Sequence, residues 1–255
     1  MTPQVWESVG SWLPHRATLQ GKSIGLVPTM GALHSGHAAL VDRCRRENDV
    51  VVVTLFVNPA QFNDPKDLER YPRTFDEDLT LLTAHGADHV LAPPVADLYP
   101  QGYRYRIEPQ AATAVMESAH RPGFLQGVMT VVLKLLNIVR ADRAYFGEKD
   151  FQQLRTVKEM VEEFFVPTEI VACPTVRTES GLAESSRNRL LTAQGRERAA
   201  GLHRALTSAP TPAEASALLQ EQGFRVEYVE EHWGRRLAAA YLEGVRLIDN
   251  VPAPR

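Results

Sequence analysis

The sequence predicts an α/β fold, with a doubly wound parallel sheet in a larger N-terminal domain and a smaller α+β domain behind it. Three observations carry this. An apolar run at residues 24–27 leads through a glycine-containing turn into an amphipathic helical stretch, and then into residues 50–57, nearly all β-branched or aromatic. A second strand, turn and helix start recurs at residues 143–151. The alternation stops near Pro174, where the chain turns polar.

In order, residues 24–27 read as a buried strand, residues 28–37 (PTMGALHSGH) as the turn and residues 38–44 as the helix. Ser35 is placed to cap that helix. Gly31 and Gly36 allow close approach to the backbone, and the first-turn N–H groups form a cradle for an anion. Residues 50–57 complete a β-α-β unit, and loop 58–63 (NPAQFN) leaves at the carboxyl edge, where open α/β sheets bind ligands. Residues 75–85 read as a helix closed by Gly86, residues 89–92 as a strand, and residues 103–107 alternate as an edge strand would. Val128, Val131, Val132, Leu135, Leu136 and Val139 recur at helical spacing and mark a core-facing helix. Residues 143–146 form a strand that runs into Gly147-Glu148-Lys149-Asp150, with Asp150 placed to cap the helix from Phe151; a strand at 168–173 closes the sheet. The domain boundary falls there, giving 1–174 and 175–255. In the second part, residues 175–189 read as a polar loop, 196–206 and 212–222 as helices, and 225–229 and 244–248 as strands.

Composition narrows the function. With 255 residues, 44% hydrophobic and 23% charged, the chain is an ordinary globular one with enough apolar surface for two cores. Its net charge of -3 argues against a general nucleic-acid surface, which needs a basic excess. Cys44 and Cys173 lack metal-ligand spacing and read as buried thiols in a reducing compartment. No run is long enough to cross a bilayer and no signal-like segment opens the sequence, so a cytoplasmic setting is expected.

The chemistry gathers at the turns. His34 and His37, three apart, share one side of a turn and would flank a phosphate at the helix start. Histidines at this spacing are also common as surface or hydrogen-bonded core residues. Gln61, taken alone, reads as a surface loop residue. Lys149 reads either as a solvated turn lysine or as a mobile charge within reach of a phosphate.

The order of the motifs says more than any one of them. The chain resembles the pantothenate synthetase family over nearly its whole length, through PTMGALHSGH (28–37), FVNPAQF (56–62), DLERYPRT (67–74), GVMTVVLKLLNIV (127–139), FGEKDFQQL (146–154), SSRNRLL (185–191) and RLIDN (246–250). The resemblance implies a Rossmann-like domain of the HxGH nucleotidyltransferase type. It also implies ATP-dependent condensation of (R)-pantoate with β-alanine through a pantoyl adenylate, with AMP and pyrophosphate released. Position by position, Met30, Gly31, His34 and His37 match the first ATP-contacting stretch, and Gly147, Lys149 and Asp150 the second. Val176, Glu184, Ser185, Ser186 and Arg187 match further ATP contacts, the last three in a mobile loop of a lid-like smaller domain. Gln61 and Gln153 match the glutamines that hold pantoate, Gln61 also lying near β-alanine. His37, His34, Lys149 and Arg187 are the implied catalytic groups. Mg²⁺ is expected with ATP and without a named protein ligand, a homodimer is expected, and neither nucleic acid nor membrane is an expected partner.

The chain also departs from the family pattern. Phe124-Leu125 stand where the family usually has His-Phe, and Thr178, Glu179, Ser180 and Glu184 differ from the residues usual before SSRN. The smaller domain looks shortened between Val229 and Gly244. The alternatives are another HxGH-type adenylyltransferase and a catalytically idle nucleotide-binding relative. A tRNA-charging enzyme would need an RNA-binding domain and a basic surface. A hydrolase built on a histidine-held metal would need a third ligand at a telling spacing.

Overall fold

Parallel pairing suits strands that can be buried on both faces, and Val50–Leu55 meets that need, since its first five residues are buried. It is β3 of a six-stranded parallel sheet made of β1 (Gln4–Trp6), β2 (Ile24–Thr29), β3, β4 (His89–Leu91), β5 (Arg143–Gly147) and β6 (Glu169–Cys173). The strand order is β1-β4-β3-β2-β5-β6. From β2 the chain winds outward through β3 and β4, then returns to add β5 and β6 on the other side. That reversal puts the turn after β2 at the switch point, where doubly wound sheets take their ligands.

The computed structural model describes residues 1–110 and 115–254. The chain divides into two units, one of Met1–Gly147 with Gln152–Cys173, the other of Glu148–Phe151 with Pro174–Arg255. In the first, helices α1 (Val9–Thr18), α2 (Ser35–Glu47), α3 (Pro65–Arg70), α4 (Phe75–Ala84), α5 (Val95–Leu98), α6 (Met116–His120), α7 (Phe124–Val139) and α8 (Phe151–Glu163) accompany the sheet. Alternate strand residues serve opposite faces. Leu26 and Val52 join Val128 and Leu136 of α7 in one core, whereas Val27 and Val53 join Val41 of α2 and Leu82 of α4 in another. Burial pushes the Cys44 thiol up to about 12, so it remains an inert member of that second core.

The second unit carries helices α9 (Ala193–Ala199), α10 (Gly201–Ser208) and α11 (Pro212–Glu221) with an antiparallel sheet of β7 (Arg225–His232), β8 (Arg235–Leu242) and β9 (Val245–Pro252). Thr211 and Glu214 form a reciprocal capping box at the start of α11. No helix among the described residues is long and apolar enough to cross a membrane.

Several elements differ from expectation. Residues 103–107 form no strand; the Tyr103 hydroxyl donates to the Thr130 hydroxyl (3.1 Å) and Thr130 Oγ1 accepts from Ile107 N–H (3.0 Å), tying the segment to α7 rather than to the sheet. The three-residue edge strand β1 is too short to leave a pattern in the sequence. The helix expected at 196–206 is two helices meeting at Ala200, next to Gly201, a residue that weakens helix interiors. The central strand β8 fills part of the stretch between the two expected C-terminal strands. Its run Ala238-Ala239-Ala240 lacks β propensity, yet is buried and paired on both sides. Residues 175–189 are built rather than loose: Arg177 bridges Ala183, Glu184 N–H donates to Val176 C=O (3.0 Å), and Ser186–Leu190 is a 3-10 turn.

One cluster makes this fold sensitive to pH. The Trp6 indole N–H donates to His89 Nδ1 (3.3 Å), so the proton of neutral His89 lies on Nε2 and faces His15 Nε2 (3.3 Å). Burial, and then the neighbouring His15, hold His89 below the ordinary histidine value of 6.5. Below that value the unfolded chain binds the extra proton more readily, so stability is full above pH 6.5 and declines as pH falls toward the depressed native value. The melting temperature is therefore expected to drop on acidification from pH 7 to 5. The drop should be shallower in His89→Gln, at a slope difference of at most about 1.4 kcal/mol per pH unit.

Candidate active site

The turn after β2 has an unusual backbone. Gly31 and Ala32 are both left-handed, at φ 80° and 51°, a conformation uncommon for a residue with a side chain. What holds it is Asp78, in the first turn of α4 and only 3% exposed. Its carboxylate accepts from Ala32 N–H (3.0 Å), Leu33 N–H (2.8 Å) and the Thr74 hydroxyl (3.2 Å). A Cβ at position 31 would lie 3.0 Å from Asp78 Oδ2, so glycine serves both the torsion and the approach. Thr29 Oγ1 accepts from Gly31 N–H (3.1 Å) and donates to Thr54 C=O (2.7 Å), fastening the turn to β3.

That turn delivers the chain to the start of α2. The cap is not Ser35, which is exposed and already the first helical residue; His34 is the N-cap, its Nδ1 accepting from Gly36 N–H (3.1 Å). An imidazole nitrogen that accepts carries no proton, so neutral His34 holds its proton on Nε2, as a donor. His37 stands one turn further on, with the two ring centroids 4.1 Å apart and tilted by 47°. Two imidazoles thus sit at the positive end of a thirteen-residue helix.

The loop after β3 is equally constrained. Asn58 is buried; its Oδ1 accepts from the Tyr99 hydroxyl (2.8 Å) and Ala60 N–H (3.3 Å), and its Nδ2 donates to Gly127 C=O (3.1 Å) and Gln61 Oε1 (3.0 Å). Burial pushes the Tyr99 phenol up, which keeps it a donor. With its oxygen engaged, Gln61 turns its amide nitrogen toward Met30 Sδ (2.8 Å), joining two residues singled out in the sequence. Gly127 in α7 permits this approach, since a Cβ there would lie 2.3 Å from Ala60 C=O.

Phe124, at the departure from the family pattern, is buried with the Arg121 guanidinium 3.7 Å over its ring. Arg121 also pairs with Glu117 (3.2 Å) and donates to Gln61 C=O (3.3 Å). The position thus braces the glutamine loop through an aromatic platform. The adjacent glutamines of α8 divide in role: Gln152 is buried and bonded to Glu117 N–H, Val115 C=O and the Ser118 hydroxyl, whereas Gln153 is half-buried.

In the second unit, Gly147 ends β5 of the first and Glu148–Asp150 form a 3-10 turn running straight into α8. Asp150 is the last residue of that turn and immediately precedes α8. Its carboxylate is 3.8 Å from Lys149 Nζ. Ser185 Oγ caps the turn Ser186–Leu190 by accepting from Arg187 N–H (3.3 Å). Ser186 is buried, and Val176, Glu184 and Arg187 are half-buried. Arg177 grips Asp249 with two bonds, 2.6 and 2.8 Å. The first unit thus holds Met30, Gly31, His34, His37, Gln61, Gly147 and Gln153, and the second holds Lys149, Asp150, Val176 and residues 184–187.

Asp78 went unmarked in the sequence, and Asn58, Asp249 and Asn250 stood inside the motifs FVNPAQF and RLIDN without a role of their own. Asp78 is one of three acids in the first turn of α4, where acids ordinarily complement the helix dipole, so nothing sets it apart before the fold is known.

A family model for pantoate-beta-alanine ligase matches residues 4–252. A pantothenate synthetase from Bdellovibrio bacteriovorus is 52% identical over 91% of this chain and 92% of its own length. Among solved structures, the pantoate-beta-alanine ligase of Francisella tularensis, complexed with beta-gamma ATP and beta-alanine, superposes with a TM-score of 0.94 at 38% identity, covering 98% of this chain and 97% of that one. The pantothenate synthetase of Thermus thermophilus gives 0.89 at 41% identity, covering 98% and 100%.

Asp78→Asn turns one acceptor into a donor facing a buried N–H or hydroxyl. Denaturant titration should show a loss of about 1.5–3 kcal/mol, and ATP affinity should fall with it. Gly127→Ala should displace the 58–61 loop, read by denaturant titration as a loss of about 1–3 kcal/mol.

Proposed function

The chain belongs to the pantoate-beta-alanine ligase family and is an ATP-dependent ligase joining pantoate to β-alanine; from that premise we propose that the reaction passes through pantoyl adenylate, formed at the N-terminus of α2. A pantoate carboxylate oxygen attacks the α-phosphorus, the bond to the β-phosphate oxygen breaks and pyrophosphate leaves. The β-alanine nitrogen then attacks the acyl carbon, AMP leaves with the former carboxylate oxygen, and the amine gives up its proton. Activation is needed because a free carboxylate is a poor acyl donor to an amine.

The observation that carries this reading is the capping bond from Gly36 N–H to His34 Nδ1, which leaves Nε2–H as a donor beside His37. Both imidazoles would donate to phosphate oxygens as charge builds in the transition state, where preorganised donors count most. Met30 and Gly31 line the same turn. Gln61, its amide oriented by Asn58, and Gln153 would bind pantoate through its hydroxyls and carboxylate without repelling it, Gln61 also facing β-alanine. Lys149 and Arg187 would neutralise the departing pyrophosphate, with Gly147, Asp150, Val176, Glu184, Ser185 and Ser186 contacting the nucleotide. Among the described residues no group of three or more His, Cys, Asp or Glu is placed to hold a metal ion. Mg²⁺ would enter with ATP, held mostly by the phosphates and water. Family resemblance supports a cytoplasmic homodimer as the working form.

Pantothenate and AMP should form together only with all three substrates present, and pantoyl adenylate should accumulate in a single turnover without β-alanine. His37→Ala is expected to slow adenylate formation by roughly two orders of magnitude; an unaltered rate in a folded variant would return that imidazole to a packing role. Lys149→Ala should slow the same step, and unchanged turnover would remove the lysine from the phosphate site.

A further inference from the structure

Residues 148–151 pack with the second unit although their chain neighbours on both sides belong to the first. Something in the second unit must grip them, and one side chain does so directly. Asn250, in β9 and 1% exposed, donates through Nδ2 to both Glu148 C=O and Lys149 C=O, each at 2.9 Å. The orientation of this amide is determined, because its Oδ1 accepts from Arg235 Nε, and arginine can only donate. The group facing the turn is therefore the NH₂, with one hydrogen for each carbonyl.

Asn250 is itself held. Its N–H donates to Asp249 Oδ1 (2.7 Å) and its C=O accepts from Arg177 Nη2 (3.3 Å), the guanidinium that also grips the Asp249 carboxylate. Arg235 in turn lies 4.8 Å over the Phe151 ring and 3.8 Å from the Glu148 carboxylate. Backbone carbonyls pinned on two successive residues fix the direction in which the side chain of the second departs. Lys149, whose side chain is 19% exposed, is the residue so aimed.

We propose that Asn250 is a positioning residue for Lys149, acting through the carbonyls of Glu148 and Lys149. This rests on the phosphate role given to Lys149 and adds the source of its placement. Asn250→Asp tests it well: the shape and the Arg235 contact survive, while an oxygen replaces the donor facing two carbonyls. Pantoate is proposed to bind residues of the first unit, so a displaced lysine should slow adenylation while leaving the pantoate KM unchanged.

The experiment is a double-mutant cycle on single-turnover adenylation, run with N250D, K149A and the double variant, alongside thermal melts and substrate KM values. N250D alone should lose on the order of ten- to a hundredfold in rate, with the pantoate KM within about twofold and almost no further loss when added to K149A. A full loss repeated in the K149A background, or equal changes in KM for all three substrates, would overturn the proposal and make Asn250 a general fold residue. K149A with wild-type adenylation would instead overturn the Lys149 role itself, a different failure read from a different arm. Should N250D not fold, Asn250→Ala, which removes the donors without adding charge, enters the same cycle under the same criteria.

Discussion

A buried carboxylate facing two successive backbone N–H groups is the constraint from which the rest of the first unit's site follows. Asp78 satisfies Ala32 and Leu33 in a turn that no regular element could complete. Without an acceptor there, two buried donors would be left unpaired and the left-handed torsions would relax. With it, the chain enters α2 at a fixed angle, His34 arrives as the cap, and the tautomer of His34 is set. A single α4 residue thus holds the turn that leads into the capping histidine.

The same arrangement recurs elsewhere. The side chains with chemistry to offer stand on short turns, and each turn is held by a buried polar group that has none. Asn58 sets the Gln61 amide, and Asn250 with the Arg177–Asp249 pair sets the Glu148–Asp150 turn. Buried amides suit this work because they have both donors and acceptors in a fixed geometry and no charge to desolvate. The sheet supplies rigid ends, and these groups translate that rigidity into side-chain placement.

The sequence made the repeating strands and helices of the first unit readable because strict periodicity and β-branched runs reflect burial directly, as in Val50–Leu55 and α7. It also marked candidate residues for the chemistry, since histidines, glutamines and a lysine sit in ordered motifs. What it hid was everything defined by long-range pairing. Asp78 looks like a helix-start acid, β8 looks too alanine-rich for a strand, and the cap at α2 passed from Ser35 to His34, a side chain seldom considered for capping. The Arg121–Phe124 stack could not be foreseen either, because it replaces an expected imidazole by a contact between side chains with no shared motif.

The bonds from Asn250 to Glu148 and Lys149 span about a hundred positions of chain. During synthesis the six strands of the first sheet emerge long before β9 exists. A nascent chain can therefore assemble its histidine turn and glutamine loop while the lysine turn still lacks the amide that orders it. The order of synthesis thus places the partner of the lysine turn in β9, after every residue of the first unit has been made.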